Sequence, residues 1–133
     1  MAACRLSILL FPEIHGTWTA RALEHDLAAE GRTPESAVDT LLKIARAHID
    51  YDRRHNRAPL SAFAAAPRLY WNAFAGAARF QIPIAVDWSE SGVEPQIVAA
   101  VASQHPAIRG PEAGNDIEIP SAKGLKSRRD RSS

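Results

Sequence analysis

Apolar positions recur at helical spacing between residues 38 and 49. Val38, Leu41, Leu42, Ala45 and Ile49 form one stripe, with Ala37, Ile44 and His48 on its flanks. Glu35, Asp39, Lys43, Arg46 and Asp50 fall on the other side, so the pattern predicts an amphipathic helix over residues 34–51. Its start is written in the chain. Thr33 suits an N-cap, because its hydroxyl can accept from an orphaned first-turn N–H. Pro34 then fits the first helical position, and Glu35 places negative charge at the positive end of the macrodipole. Ser36 stands where a capping box would carry Glu or Gln, so the reciprocal half of that motif is expected to be absent. The pairs Asp39/Lys43 and Arg46/Asp50 each contribute about 0.2–0.5 kcal/mol. That is too little to hold the helix alone, so its stripe must pack on another layer.

Ahead of this helix the period shortens. Residues 4–11 (CRLSILLF) read as a buried strand with Leu6, Ile8 and Leu10 on one face and Leu9 and Phe11 on the other. Pro12 and Gly16 bracket a hairpin turn. Residues 17–23 (TWTARAL) alternate as a half-buried strand, placing Trp18, Ala20 and Ala22 opposite Thr17, Thr19 and Arg21. Residues 26–30 (DLAAE) form a weaker third strand, and Gly31 marks the turn into the helix. Three strands and one helix put the helix stripe on the sheet face that carries Trp18.

Beyond Tyr51 the pattern loosens. Residues 52–59 (DRRHNRAP) read as a charged linker. Pro67 at a first helical position, followed by Leu69, Tyr70, Ala73, Phe74 and Ala77, predicts a second helix. Residues 81–88 (QIPIAVDW) predict an edge strand, with Pro83 near its start. Residues 94–104 predict a third helix with Pro95 in its first turn, and residues 117–120 a short strand. The last stretch carries Lys123, Lys126, Arg128, Arg129 and Arg131 against Asp130 and reads as a disordered tail. The fold class is therefore α+β: a small three- to four-stranded antiparallel sheet packed by one main helix, with a helical C-terminal extension. The chain divides into a strand–strand–strand–helix unit (1–51), a mixed extension (52–120) and a basic tail (121–133).

Composition changes this picture little. Of 133 residues 46% are hydrophobic and 23% charged, the proportions of a water-soluble globular domain. Sixteen basic residues stand against fifteen acidic ones, so bulk charge does not select nucleic acid as a partner. The one cysteine, Cys4, has no intrachain partner for a disulfide, which favours a reducing compartment. Residues 7–11 are too short an apolar run for a membrane span, and a cytoplasmic protein is expected.

Candidate chemistry is sparse. Glu24, His25 and Asp26 are adjacent, but alternation on an extended chain puts His25 opposite both carboxylates. A metal or acid–base centre there needs a partner such as His15 or His48. A nuclease centre needs carboxylates converging on a divalent ion, and the spacing of Glu13, Glu24 and Asp26 does not single them out. No enzyme activity, cofactor or metal is expected. Tyr70, Trp71 and Phe74, beside Arg68 and Arg79, offer a surface for a partner or for stacking on bases, or cover the sheet as core. The basic tail offers contact to phosphate, or is simply solvated.

The run Glu30-Gly31-Arg32-Thr33-Pro34-Glu35-Ser36-Ala37 resembles the helix start of the HicB-like antitoxin family, and LSILLFPE and TWTARALEHD fit the same family in order and spacing. The resemblance covers residues 5–51. Its motif residues are Gly31, Thr33, Pro34, Glu35 and Ala37. It implies a partly degenerate RNase-H-like fold, strand–strand–strand–helix and commonly a closing strand, that acts as a protein-binding surface. In bacterial toxin–antitoxin pairs such a domain occludes a small mRNA-cleaving toxin, so the implied partner is a small basic HicA-like toxin. The chain departs from the family at Leu23-Glu24-His25-Asp26, where a Pro-x-x-x-Gly-Cys type of segment is common, and shows no DNA-binding element after Asp52. A stand-alone regulatory or nucleic-acid-binding protein without a toxin remains the alternative, and a homo-oligomer is left open.

Overall fold

The computed structural model describes residues 2–82, 86–88 and 91–107. Strands β1 (Ala2–Pro12), β2 (Trp18–Ala22) and β3 (Leu27–Gly31) are followed by helix α1 (Pro34–Arg54), helix α2 (Arg68–Ala75), β4 (Ala78–Phe80) and β5 (Val93–Val101). They build an α+β fold on one five-stranded sheet of order β3-β2-β1-β5-β4. The sheet is mixed rather than antiparallel: β1 pairs antiparallel with β2 but parallel with β5, from Ala2↔Val93 to Leu10↔Val101. A central strand flanked on both edges and covered on both faces needs a nearly continuous apolar run, which residues 4–11 supply.

The α1 stripe packs as the periodicity requires. Val38, Leu41, Leu42, Ala45 and Ile49 are at most 1% exposed and meet Leu6, Ile8 and Leu10 of β1 and Ala20 and Ala22 of β2, with Trp18 at the margin. The pairs Asp39/Lys43 (3.0 Å) and Arg46/Asp50 (3.7 Å) form on the outer side. The capping box, expected to be incomplete, is complete. Thr33 Oγ1 accepts from the Ser36 N–H, and the Thr33 N–H donates to Ser36 Oγ, both at 3.1 Å. A serine hydroxyl is long enough to do what Glu or Gln usually does. Gly31 is also there for a different reason than a turn: it closes β3. A Cβ on it would run into Ser36 Oγ and lie 2.6 Å from the Ala37 backbone nitrogen. The strand must touch the helix start, and only glycine leaves room.

The second half of the chain differs most from expectation. The charged linker is not one: α1 runs on through Arg54, and Asp52 is buried with Oδ2 accepting from the Leu60 N–H at 2.8 Å. That bond and full burial hold Leu60 in the left-handed region at φ 58°. The loop then crosses the β2–β3 turn, where the Asp26 N–H donates to Ala64 O and the Ala66 N–H to Leu23 O. Pro67 is the N-cap of α2 rather than its first residue. Of the edge strand expected at 81–88, residues 81–82 and 86–88 lie in no strand, and residues 83–85 are outside the described residues.

The third helix expected at 94–104 is strand β5. Alanines and a first-turn proline suggested a helix, but the register beside β1 decides otherwise. Pro95 lies opposite Cys4, while β4 reaches only Ala99 to Val101. On its other side, Pro95 therefore has no β4 partner to deprive of a donor. The helical C-terminal extension is thus reduced to α2, and the sheet has five strands, not three or four. Its strands come from both sides of the boundary read at residue 52. The short strand and the tail expected at 117–133 lie outside the described residues.

Candidate functional site

Three surfaces carry the polar chemistry. The first is the sheet face opposite α1. Glu24, in the β2–β3 turn, accepts from the Ser7 N–H (2.7 Å) and from Ser7 Oγ (2.6 Å), with Arg5 3.4 Å away. Arg21 donates to Asp26 through Nε (2.7 Å) and Nη2 (2.9 Å), and its guanidinium lies 4.1 Å from the Tyr70 ring centre. The hydrogen bond to Asp26 holds the Arg21 pKa above its ordinary value against the opposing effect of burial. Glu13 accepts from Thr19 Oγ1 and lies 3.6 Å from His105, whose ring packs edge-on against Phe11. His15 sits between Thr17 (2.8 Å) and Glu30 (3.4 Å).

Each carboxylate is thus engaged by a different neighbour. Glu13, Glu24 and Asp26 are not gathered, and no group of three His, Cys, Asp or Glu side chains suited to a metal ion occurs among the described residues. His25 points its Nδ1 into the structure, where that atom is buried without a hydrogen-bond partner. His48 does not join it; it meets Phe63 edge-on at 4.9 Å. The sequence signal for Glu24, His25 and Asp26 therefore resolves into a polar turn. Cys4 is buried, and burial, helped by the charge of Glu24, raises its thiol pKa.

The second surface is α2. Tyr70, Trp71 and Phe74 are half-buried and pack against Leu9, Phe11, Leu23 and Ala66. They cover the second sheet face, with Tyr70 stacked on Phe11 at 5.9 Å. The aromatic residues singled out from the sequence as a partner surface are largely spent on this packing.

The third surface joins the polar side of α1 to the 52–59 stretch expected to be a linker. Arg46, Asp50, Arg53 and Arg54 line a cavity of about 350 Å³ at the end of α1. A second, of about 230 Å³, is lined by Arg53, Arg57, Ile49, Pro59 and the 91–93 turn. Tyr51 stacks on His55 at 4.0 Å, and the Arg57 guanidinium lies 5.6 Å from the Tyr51 ring centre. The signal was present as the run DYDRRHNR, but its meaning depended on α1 continuing through it.

The motif residues of the helix start lie together at the β3–α1 junction. Gly31 and Pro34 are half-buried, Thr33 and Glu35 exposed, and Ala37 is wholly buried. Beside them runs β3, an edge strand of the sheet. Among the described residues no backbone hydrogen bond outside the sheet involves residues 27–31. Glu30 on β3, Arg32 and Glu35 are exposed there; Glu35 lies in the first turn of α1, and Arg53 and Arg54 lie in its last. No helix among the described residues is long and apolar enough to cross a membrane. No family model matches the sequence, and comparisons with curated proteins and with solved structures likewise find no match.

Proposed function

We propose that the chain is a HicB-like protein-interaction module rather than an enzyme, and that it binds and occludes a small basic toxin of the HicA-like type. The reading is supported by the order of elements: three antiparallel strands, a helix, and a later strand that closes beside β1. The single observation that carries it is the open β3 edge next to the acidic start of α1. An unpaired strand edge offers main-chain donors and acceptors to a partner strand. Glu35 in the first turn of α1, with Glu30 on the strand 3.4 Å from His15, offers carboxylates to a basic partner, which speeds association and fixes orientation. The carboxylates of the opposite face are each held by separate neighbours, an arrangement suited to structure rather than to catalysis.

The test is co-expression with the adjacent gene and purification through a tag on this chain. A small basic protein retained in fixed stoichiometry, with its RNA cleavage suppressed, is the expected outcome. Repeated recovery of the chain without any small basic protein would sink the toxin-binding reading.

A further inference from the structure

The backbone of β3 faces two ways, and the pairing of its neighbours decides which residues face which. In an antiparallel sheet the N–H and C=O of successive residues point alternately to the strands on either side. The Leu23 N–H donates to Ser7 O and the Glu13 N–H to Thr17 O, so the odd-numbered positions of 17–23 turn toward β1. Trp18, Ala20 and Ala22 therefore turn toward β3, where they stand opposite Gly31, Ala29 and Leu27. The remaining residues of the strand, Ala28 and Glu30, direct their backbone groups outward, away from the sheet. Among the described residues, no other backbone group bonds to Ala28 or Glu30 on that side. One residue before β3, the Asp26 N–H points the same way and is already taken by Ala64 O.

Resting on the toxin-binding reading above, we propose that the small basic partner enters this edge as a short extended segment. It pairs with the backbone of Ala28 and Glu30 alone and sets a lysine or arginine across from Glu30. An extended chain matches outward N–H and C=O groups two residues apart, because its own groups repeat with the same period. The segment is short because the loop carrying Ala64 closes the edge at Asp26, and the chain leaves the strand for α1 after Gly31. Leu27 and Ala29 are buried beneath α1, so the side chains of Ala28 and Glu30 share the opposite face and are exposed there. A residue directly across from Glu30 stands about 4.5–5.5 Å away between Cβ atoms, which brings a cation within reach of the carboxylate. The Glu30 carboxylate is half exposed, and His15, 3.4 Å from it, approaches from the β1–β2 turn rather than from the open edge. Across from Ala28 the partner meets only a methyl group, so no charge is selected at that position.

The experiment is residue-resolved amide exchange by NMR on the full chain, free and bound to the small basic protein retained in the co-expression test. In the free chain the Ala28 and Glu30 amides should exchange fast beside slow Leu27, Ala29 and Gly31 amides. Protection of Ala28 and Glu30 in the free chain would overturn the proposal. In the complex these two amides should slow, with Ala29 and Gly31 little changed. Ala28→Pro removes an outward donor from an edge strand, where proline leaves the β2 ladder intact. It should raise Kd by about tenfold or more, through one lost backbone bond and the acceptor left unpaired. Ala28→Val keeps the donor and should keep the affinity. Glu30→Gln should weaken binding and flatten its salt dependence, and an unchanged salt dependence would remove the cation across from Glu30. Undiminished affinity of a folded Ala28→Pro chain would overturn the proposal; should that variant not fold, the exchange pattern of the unmodified complex decides. Recovery of no small basic protein would end the toxin reading and this one with it. A tight complex that leaves the Ala28 and Glu30 amides unslowed would end this one alone.

Discussion

Beneath α1 the sheet presents Leu6, Ile8 and Leu10 to a helix stripe whose five residues are at most 1% exposed. On the other face Leu9 and Phe11 are as deeply buried, but the helix that covers them, α2, contributes no buried residue of its own. Around α2 that face carries the Ser7–Glu24, Arg21–Asp26 and Thr19–Glu13 bonds instead of apolar contacts. The difference follows from length. A helix of 21 residues crosses the sheet and excludes water along its whole stripe, whereas one of 8 residues covers only a patch. Polar side chains then finish the face by satisfying one another, each such bond adding about 0.5–1.5 kcal/mol net, more where charged. Apolar packing is thus concentrated beneath α1, and the opposite face is finished by polar side chains around α2.

Truncating one residue on each face tests the difference in packing. Leu41→Ala should cost about 2–5 kcal/mol, through lost transfer energy and the cavity left behind. Phe74→Ala should cost less, because its ring is only half-buried and water can fill the gap. Urea unfolding of both variants decides it: an equal or larger loss for Phe74 would mean that α2 seals its face as α1 does.

Next in size is Gly31→Ala. The added methyl meets the capping Ser36 Oγ and, behind it, the Ala37 and Ser36 backbone, which cannot swing aside, so about 1–3 kcal/mol should be lost by overpacking. The same urea series measures it, and a neutral result would show that β3 can draw back from the helix start.

The smallest effect concerns Cys4. Its thiol pKa is raised by burial and by Glu24, so the folded thiol keeps its proton where the unfolded one has lost it. Stability should therefore be intact below the ordinary thiol value of about 8.5 and decline as pH rises from there toward the raised folded value. Cys4→Ala should remove that alkaline decline, and alkylation of native Cys4 should be slow. Rapid alkylation of the folded chain would contradict the burial.

Local signals carried the first half of the fold. The strand alternation at 17–23, the Thr33–Pro34 cap and the α1 stripe each depend on neighbours a few residues away, and the structure places them within a few residues of expectation. What failed was nonlocal. β5 reads as a helix from its alanines and proline and becomes a strand only because β1 lies beside it over nine positions. The inward turn of Asp52 was equally hidden, since its partner Leu60 is a loop residue with no pattern of its own. For the site, the motif at 31–37 was legible as helix-start chemistry. The Ser36 half of the cap and the reason for Gly31 required the approach of strand to helix. The arginine cluster was visible as composition, yet became a surface only once α1 was seen to run through it.

The proposed interaction requires a partner to take the β3 edge and the first turn of α1 at Glu35. Backbone hydrogen exchange of this chain, alone and with a small basic protein recovered in the co-expression test, decides it. Residues 27–31 and the first turns of α1 should exchange more slowly in the complex, while β4 and α2 are unchanged. Protection confined to α2 and the second sheet face, with residues 27–31 unaffected, would contradict it.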